Sequence, residues 1–415
     1  MRLTRRTLLQ AGAATWALPG LSRLAFADSP SQNDALVILF QRGGCDGLSL
    51  LAPTNDPDYV ADRAPDLRVR DDGQKPGRSI RQSFAPALDF RLHPDAAPLA
   101  DLYESRHLAL LHAVGLENGT RSHFVAQDLM ERGVNDNATL NTVHDGWLTR
   151  LLNAHPSLFP AISTGPALPS ALAFHANSLA IPDLRGGLSL PGGPQVKQVL
   201  TGLYANAKDP FGLSAAETLR DIDRVESRLP RTPDGKVAEY QPDNHATYEE
   251  TESGRALRTV ARLLKMEIGL SVACVDIGGW DHHDNLAGRF SGLIGQFSRA
   301  LLAFWNDIDT YHNRLTVVVM TEFGRRLRTN KSNGADHGHG GVMMVLSGNA
   351  KGGNIYGRWP GLAAHQLDNG VDLAVTTDYR SVLTEVLTAR LGLATGLAPI
   401  FPGFKPGKQL GLFEV

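Results

Sequence analysis

The sequence predicts an α/β fold, a mostly parallel central sheet with helices on both faces and an inserted cap region. Three observations carry this. Short apolar runs alternate with helical stretches through the C-terminal half, the order that gives a parallel sheet covered on both sides. Nearly every one of those runs stops at a turn bearing carboxylates, histidines or hydroxyls. The stretch from Gly186 to Asn244 is rich in Pro, Gly and polar residues and breaks the strand rhythm on either side of it. The chain has 415 residues, 42% hydrophobic and 20% charged, enough for one large α/β domain or two smaller ones. A net charge of -2 and a pI near 6.7 give none of the basic excess of a nucleic-acid binder, so no nucleic-acid partner is expected.

The N-terminus reads as an export signal. Arg5 and Arg6 precede a short, mildly apolar stretch that ends in Ala25-Phe26-Ala27, a small-x-small cleavage site. The paired arginines make it a twin-arginine signal, with the export machinery as a partner and a periplasmic or secreted location. Cleavage after Ala27 leaves 415 − 27 = 388 residues, a single α/β domain over 28–415 with the cap near 186–244. No later segment has ~18 continuous apolar residues, so no stable membrane anchor is expected after cleavage.

The elements follow in order. Ala35 to Phe40 reads as a buried strand breaking at Gly43-Gly44, and Leu108 to Val114 as a second. A helix is expected from His123 to Arg132, stopped by Gly133. "FPAISTG" and "SLAIPDL" are short strand candidates. The cap holds helices near Val196–Asn206 and Ala215–Ser227. Beyond it come a helix over Thr251–Met266, the strand "GLSVACVDIG", a long helix over Leu286–Tyr311, and the strands "LTVVVMTEFG" and "GVMMVLSG". The last helix has Thr377 as N-cap and Gly392 at its end. Cys45 abuts Asp46, whereas Cys274 lies seven residues before Asp281, roughly 20 Å along a strand. If the two aspartates converge, the sulfurs do not meet, and two free buried thiols are expected.

In open α/β sheets ligands bind beyond the carboxyl ends of the strands. The turns found there are "GGCDGL", "NGTRSHF", "GGWDHHDN" and "TEFGRR", joined by "NGADHGHGG" just before a strand. Asp281 and His283 share a face if that turn is extended, while His282 points away. His337 and His339 are likewise two apart, flanked by glycines that allow close approach. Asp46 suits either a metal or an Asx turn. The mixed N/O set of Asp46, Asp281, His283, Glu322, His337 and His339 fits a divalent metal, zinc or manganese, as one ion or as two ~4 Å apart. Ser122, at a helix start, is the candidate nucleophile, with Thr120 as the alternative, and His123 beside it joins the catalytic set. Arg121 is assigned to substrate binding and Arg325 to the catalytic set, both through guanidinium contacts to phosphate or sulfate oxygens.

The motifs "LVILFQRGGCDGL", "RSHFVAQDLMERG", "GGWDHHDN", "VVVMTEFGRR", "DHGHGGVMMVLSGNAKGGNIYGRWPGL" and "VTTDYRSVLTEVL" resemble a twin-arginine-exported bacterial family known as domain of unknown function fifteen-oh-one. That family is similar to the alkaline-phosphatase and sulfatase superfamily in overall fold. The resemblance implies an exported metal-dependent hydrolase of small anionic phosphate or sulfate esters. Within it Asp46 falls where the first-strand aspartate binds metal, Ser122 near the nucleophile with His123 after it, and Asp281 with His283 on the aspartate-then-histidine pair. His337 or His339 falls on the final histidine. "TEFG" departs from the pattern, because Glu322 stands for an aspartate and Phe323 for a histidine. The alternative is a non-catalytic metal- or ligand-binding protein on the same fold.

Overall fold

Along the first strand Val37 and Leu39 face one way and Ile38 and Phe40 the other, and this alternation separates two hydrophobic cores. The computed structural model describes residues 34–155, 161–188, 190, 192–393 and 397–414. The expected signal, with Arg5, Arg6 and Ala27, lies outside them. The strands of the main sheet are Ala35–Gln41 (β1), Leu108–Gly115 (β2), Ala161–Ser163 (β3), Ser178–Ala180 (β4), Val272–Ile277 (β5), Leu315–Met320 (β6), Gly341–Ser347 (β7), Ile355–Tyr356 (β8) and Thr377–Asp378 (β9). Their order is β8-β2-β7-β6-β1-β5-β3-β4, with β9 also alongside β2. Every pairing is parallel except those of β7, which runs antiparallel to both β2 and β6. A small antiparallel sheet of Leu51–Pro53, Arg78–Ser79 and Phe90–Leu92 stands apart from it.

The longer helices are Ala97–Glu104 (α1), His123–Glu131 (α2), Trp147–Ala154 (α3), Gly193–Tyr204 (α4), Pro210–Arg228 (α5), Glu252–Lys265 (α6), Leu286–Asp307 (α7) and Tyr379–Leu391 (α8). α1, α6 and α7 bury Leu99, Leu257 and Phe297 in the core shared with Val37; α2, α3 and α8 bury Leu129, Leu151 and Val386 in the core shared with Ile38. The mostly parallel sheet covered on both faces is therefore the observed architecture. Cys45 and Cys274 are free and buried. Among the described residues no helix is long and apolar enough to cross a membrane.

Two expectations shift. The cap helices start earlier than read, at Gly193 and Pro210, and α4 buries none of its residues while α5 sends Ile222 and Val225 into the first core. The cap of α8 is Asp378, whose carboxylate accepts from Arg380 N, not Thr377, which pairs with Val114 as the start of β9. Gly392 ends the helix at φ +65°, as its position implies.

His112 on β2 is fully buried, with Nε2 bonded to Leu51 O at 2.9 Å and Nδ1 accepting from Ala113 N at 2.9 Å. The neutral ring satisfies both contacts; a second proton would face a backbone donor. Burial pushes its pKa down to about 4. The unfolded chain, at an ordinary ~6.5, takes up the proton first as pH falls, so stability is full above that value and is lost toward pH 4. The loss is on the order of 3 kcal/mol. Urea midpoints at pH 7, 5.5 and 4 should fall less steeply in His112→Gln than in the unsubstituted protein; equal slopes would remove His112 from the account.

Candidate metal centre

Four side chains meet beyond the carboxyl ends of β2, β5 and β6. His123 is the first residue of α2, Asp281 and His283 follow β5, and His337 precedes β7. The Nε2 of His337 lies 2.9 Å from His123 Nε2, 2.8 Å from His283 Nε2 and 3.2 Å from Asp281 Oδ1. Asp281 Oδ1 is 3.4 Å from His123 Nε2 and 3.0 Å from His283 Nε2. His123, Asp281 and His337 offer atoms that all lie within 4.8 Å of one another, and His283 closes on two of them.

The other ring nitrogens decide what these atoms carry. His123 Nδ1 is 2.8 Å from Glu322 Oε1, His283 Nδ1 is 3.1 Å from Asp336 Oδ1, and His337 Nδ1 is 2.7 Å from Arg121 O. Each partner is an acceptor, so each Nδ1 donates, and a ring in its neutral form presents an Nε2 lone pair. His337 Nε2 and Asp281 Oδ1 each lie 2.8–3.4 Å from the Nε2 atoms of both His123 and His283; with neutral rings these electron pairs repel, and a cation among them removes the repulsion. A zinc ion with ligands at ~2.0–2.1 Å would hold neighbouring donors about 3.3 Å apart. A histidine that ligates through one nitrogen and donates from the other to a carboxylate or carbonyl is the usual support of such a site. The residues present therefore fit a divalent metal, and three imidazoles with one carboxylate favour zinc over manganese.

The surroundings hold this set in place. Burial works against the Asp281 carboxylate, but the Arg325 guanidinium 2.6 Å away prevails and holds it at about 2. The bond to Glu322 raises His123 above its ordinary value, and burial lowers His337. Gln127 donates to Glu322 Oε1 at 2.7 Å and accepts from Arg42 at 3.3 Å, so a relay from Arg42 to His123 fixes the ring. Gly43, at φ +118°, lets the turn after β1 reach this group: a Cβ there would stand 2.7 Å from Asp281 N. Gly43 N donates to Glu322 at 2.9 Å. The side chains of Asp281 and His283 remain 46% and 45% exposed, against 20% for His123 and 21% for His337. The centre thus opens on the Asp281 side, where a cleft of about 510 Å³ runs past Gly288 and Gly292 of α7.

Several expected site residues fall elsewhere. Asp46 caps the short helix Gly47–Leu50 through Leu48 N and Ser49 N, and its other oxygen binds Ser49 Oγ and the buried Arg63 guanidinium. The Asx alternative describes it; both oxygens are engaged. Glu322 accepts from Gly43, His123, Gln127 and Thr321, so it orients a ligand rather than serving as one. His339 binds Asp368 through Nδ1 and Leu116 O through Nε2. It parts from His337 because the two do not lie on one extended strand. Gly338 stands against the Arg325 backbone, where a Cβ would come within 2.5 Å of Arg325 C. His123, read as catalytic, belongs to the cluster. Arg325 is buried, its donors held by Gly44 O, Ala335 O and Asp281, and Arg121 pairs with Asp372. The Arg325 guanidinium is thus not free for a substrate, whereas Arg121 is held by Asp372 with its side chain 43% exposed. Ser122 is exposed, and its Oγ accepts from Val125 N at 3.5 Å as the N-cap of α2. One ligand cluster forms from the expected set. Gln127 was missed; a polar residue one helical turn after a motif histidine was the available signal.

Residues 223–394 match the family described as "Protein of unknown function (DUF1501)". That span takes in Asp281, His283, Glu322 and His337 and leaves His123 outside it. No curated protein matches. Among solved structures the chain is similar to the C-terminal periplasmic domain of EcEptC from Escherichia coli, in complex with zinc, at 7% identity and a TM-score of 0.36, over 77% of this chain and 75% of that one. It is also similar to Ps i-CgsB in complex with k-i-k-neocarrahexaose, at 10% identity and a TM-score of 0.38, over 89% and 74%.

Proposed function

We propose that the chain is an exported metal-dependent hydrolase of phosphate or sulfate esters, built on one divalent ion held by His123, Asp281, His283 and His337. The observation that carries this is the convergence of three imidazole lone pairs and a carboxylate at an open strand edge. A bound zinc ion supplies Lewis acidity and lowers the pKa of a coordinated hydroxyl or water. Ser122 stands one residue before a ligand with its hydroxyl exposed. In this reading Ser122 Oγ bonds to phosphorus or sulfur as the alcohol leaves with the serine proton, and water then frees the serine. Glu322, Asp336 and Arg325 hold the ligands, and the cleft beside Asp281 admits the ester.

The second reading, a non-catalytic metal-binding protein, is favoured by one observation: Arg121 and Arg325, the expected clamps for ester oxygens, are engaged by Asp372 and by Asp281 with backbone carbonyls. Turnover of aryl phosphate and aryl sulfate esters separates the two. The hydrolase should lose activity in a chelator, regain it with zinc, and lose it in Ser122→Ala at unchanged metal content. Activity that survives Ser122→Ala overturns the nucleophile, and no turnover of either ester class by the zinc-loaded protein leaves the binding reading.

A further inference from the structure

A second cleft, of about 390 Å³, lies between α6, the 183–185 turn and the 237–240 segment. Its charged lining residues are Asp183, Arg185, Glu239, Glu250, Arg258 and Arg262. Two of the arginines are matched: Arg185 pairs with Asp183 at 2.6 Å and Arg258 with Glu250 at 2.5 Å. Arg262 is not. It is 5% exposed, its Nε is buried with no partner, and its one hydrogen bond runs from Nη2 to Ala238 O at 2.9 Å. Among the described residues no carboxylate forms an ion pair with it. The Tyr240 ring, 6.0 Å from its guanidinium carbon, and Thr259 complete the wall around it.

A guanidinium cannot shed its proton to escape burial. A charge withdrawn from water with one carbonyl as partner is costly, and in folded proteins such charges are paired. The planar fork of arginine is shaped to take two oxygens of one oxyanion. We infer that this cleft is a binding site for a small oxyanion, a carboxylate or a phosphate or sulfate group, gripped by Arg262 with Arg258 at its rim. The site is separate from the metal centre: along α6, Arg262 lies ten residues, about 15 Å, beyond Glu252, whose carboxylate bonds Gly278 N in the turn leading to Asp281.

Thermal unfolding at constant ionic strength, with chloride replaced by acetate, inorganic phosphate or sulfate, tests this. A His283→Ala variant serves as background, so that anion binding at the metal centre does not contribute. At about ten times Kd the effective anion should raise Tm saturably, by roughly 1–3 °C. Arg262→Met, which keeps the stem and removes the charge, should abolish that response while melting at or above its parent. Acetate alone acting assigns a carboxylate ligand; phosphate or sulfate alone acting assigns an ester or inorganic group. Equal shifts in parent and Arg262→Met, or no shift beyond the chloride control with any of the three, would overturn the site and leave solvent as the partner of Arg262. Neither result bears on the metal reading, which does not involve this cleft.

Discussion

Replacing His337 with alanine should empty the metal centre. Its Nε2 touches all three other donors, at 2.8, 2.9 and 3.2 Å, and its Nδ1 ties the cluster to the backbone of Arg121. Removing it leaves Asp281 Oδ1 as the one donor near both His123 and His283 in the cluster. Affinity for zinc should fall by more than the 10–100-fold typical of losing a supporting residue around a metal. Because metal binds the folded state, the melting temperature of the zinc-loaded protein should fall with it, while the metal-free forms of the two proteins melt closer together. Competition with a chromophoric chelator reads the first effect, and scanning calorimetry with and without zinc the second. Undiminished zinc affinity in His337→Ala would mean that the lone pairs converge for some other reason.

Asp46→Ala has the opposite signature. The sequence resemblance puts a metal ligand at this position; the structure puts Asp46 against Arg63, with side chains 2% and 0% exposed. Taking away the carboxylate leaves a buried guanidinium uncompensated and uncaps the turn after β1. Breaking a buried pair in this way destabilises by about 3–5 kcal/mol. Arg63 also bonds Arg326 O at 3.1 Å, so the loss extends to the segment after Glu322. Urea unfolding should show the destabilisation at unchanged metal stoichiometry in the folded fraction. A normal midpoint with lost metal would restore Asp46 to the ligand set.

The contrast between these two aspartates marks how far the sequence could be read. Alternating apolar and helical stretches predict the parallel sheet because burial on two faces leaves continuous apolar runs, and β1, β5 and β6 are such runs. The period of two in "DHHD" agrees with the structure, where Asp281 and His283 meet the cluster and His282 is buried. The same rule fails for His337 and His339, because Gly338 packs on the Arg325 backbone and the two rings turn to different partners. Asp46 was ambiguous for a local reason: an aspartate before a short helix is as good a cap as a ligand, and its partner Arg63 lies in an unmarked stretch. His123 was overshadowed by the hydroxyl beside it. Arg325 looked like an anion clamp because nothing local reveals that backbone carbonyls surround it. What the sequence withholds in each case is the long-range partner.

Metal content bears most directly on the central claim. The full-length protein, produced in an exporting bacterium and purified without added metal or chelator, should be assayed by elemental mass spectrometry against protein concentration from amino-acid analysis. One equivalent of a divalent ion per chain, zinc in the first place, is the predicted result. Less than a tenth of an equivalent of any divalent ion, unchanged after incubation with zinc and desalting, would contradict it.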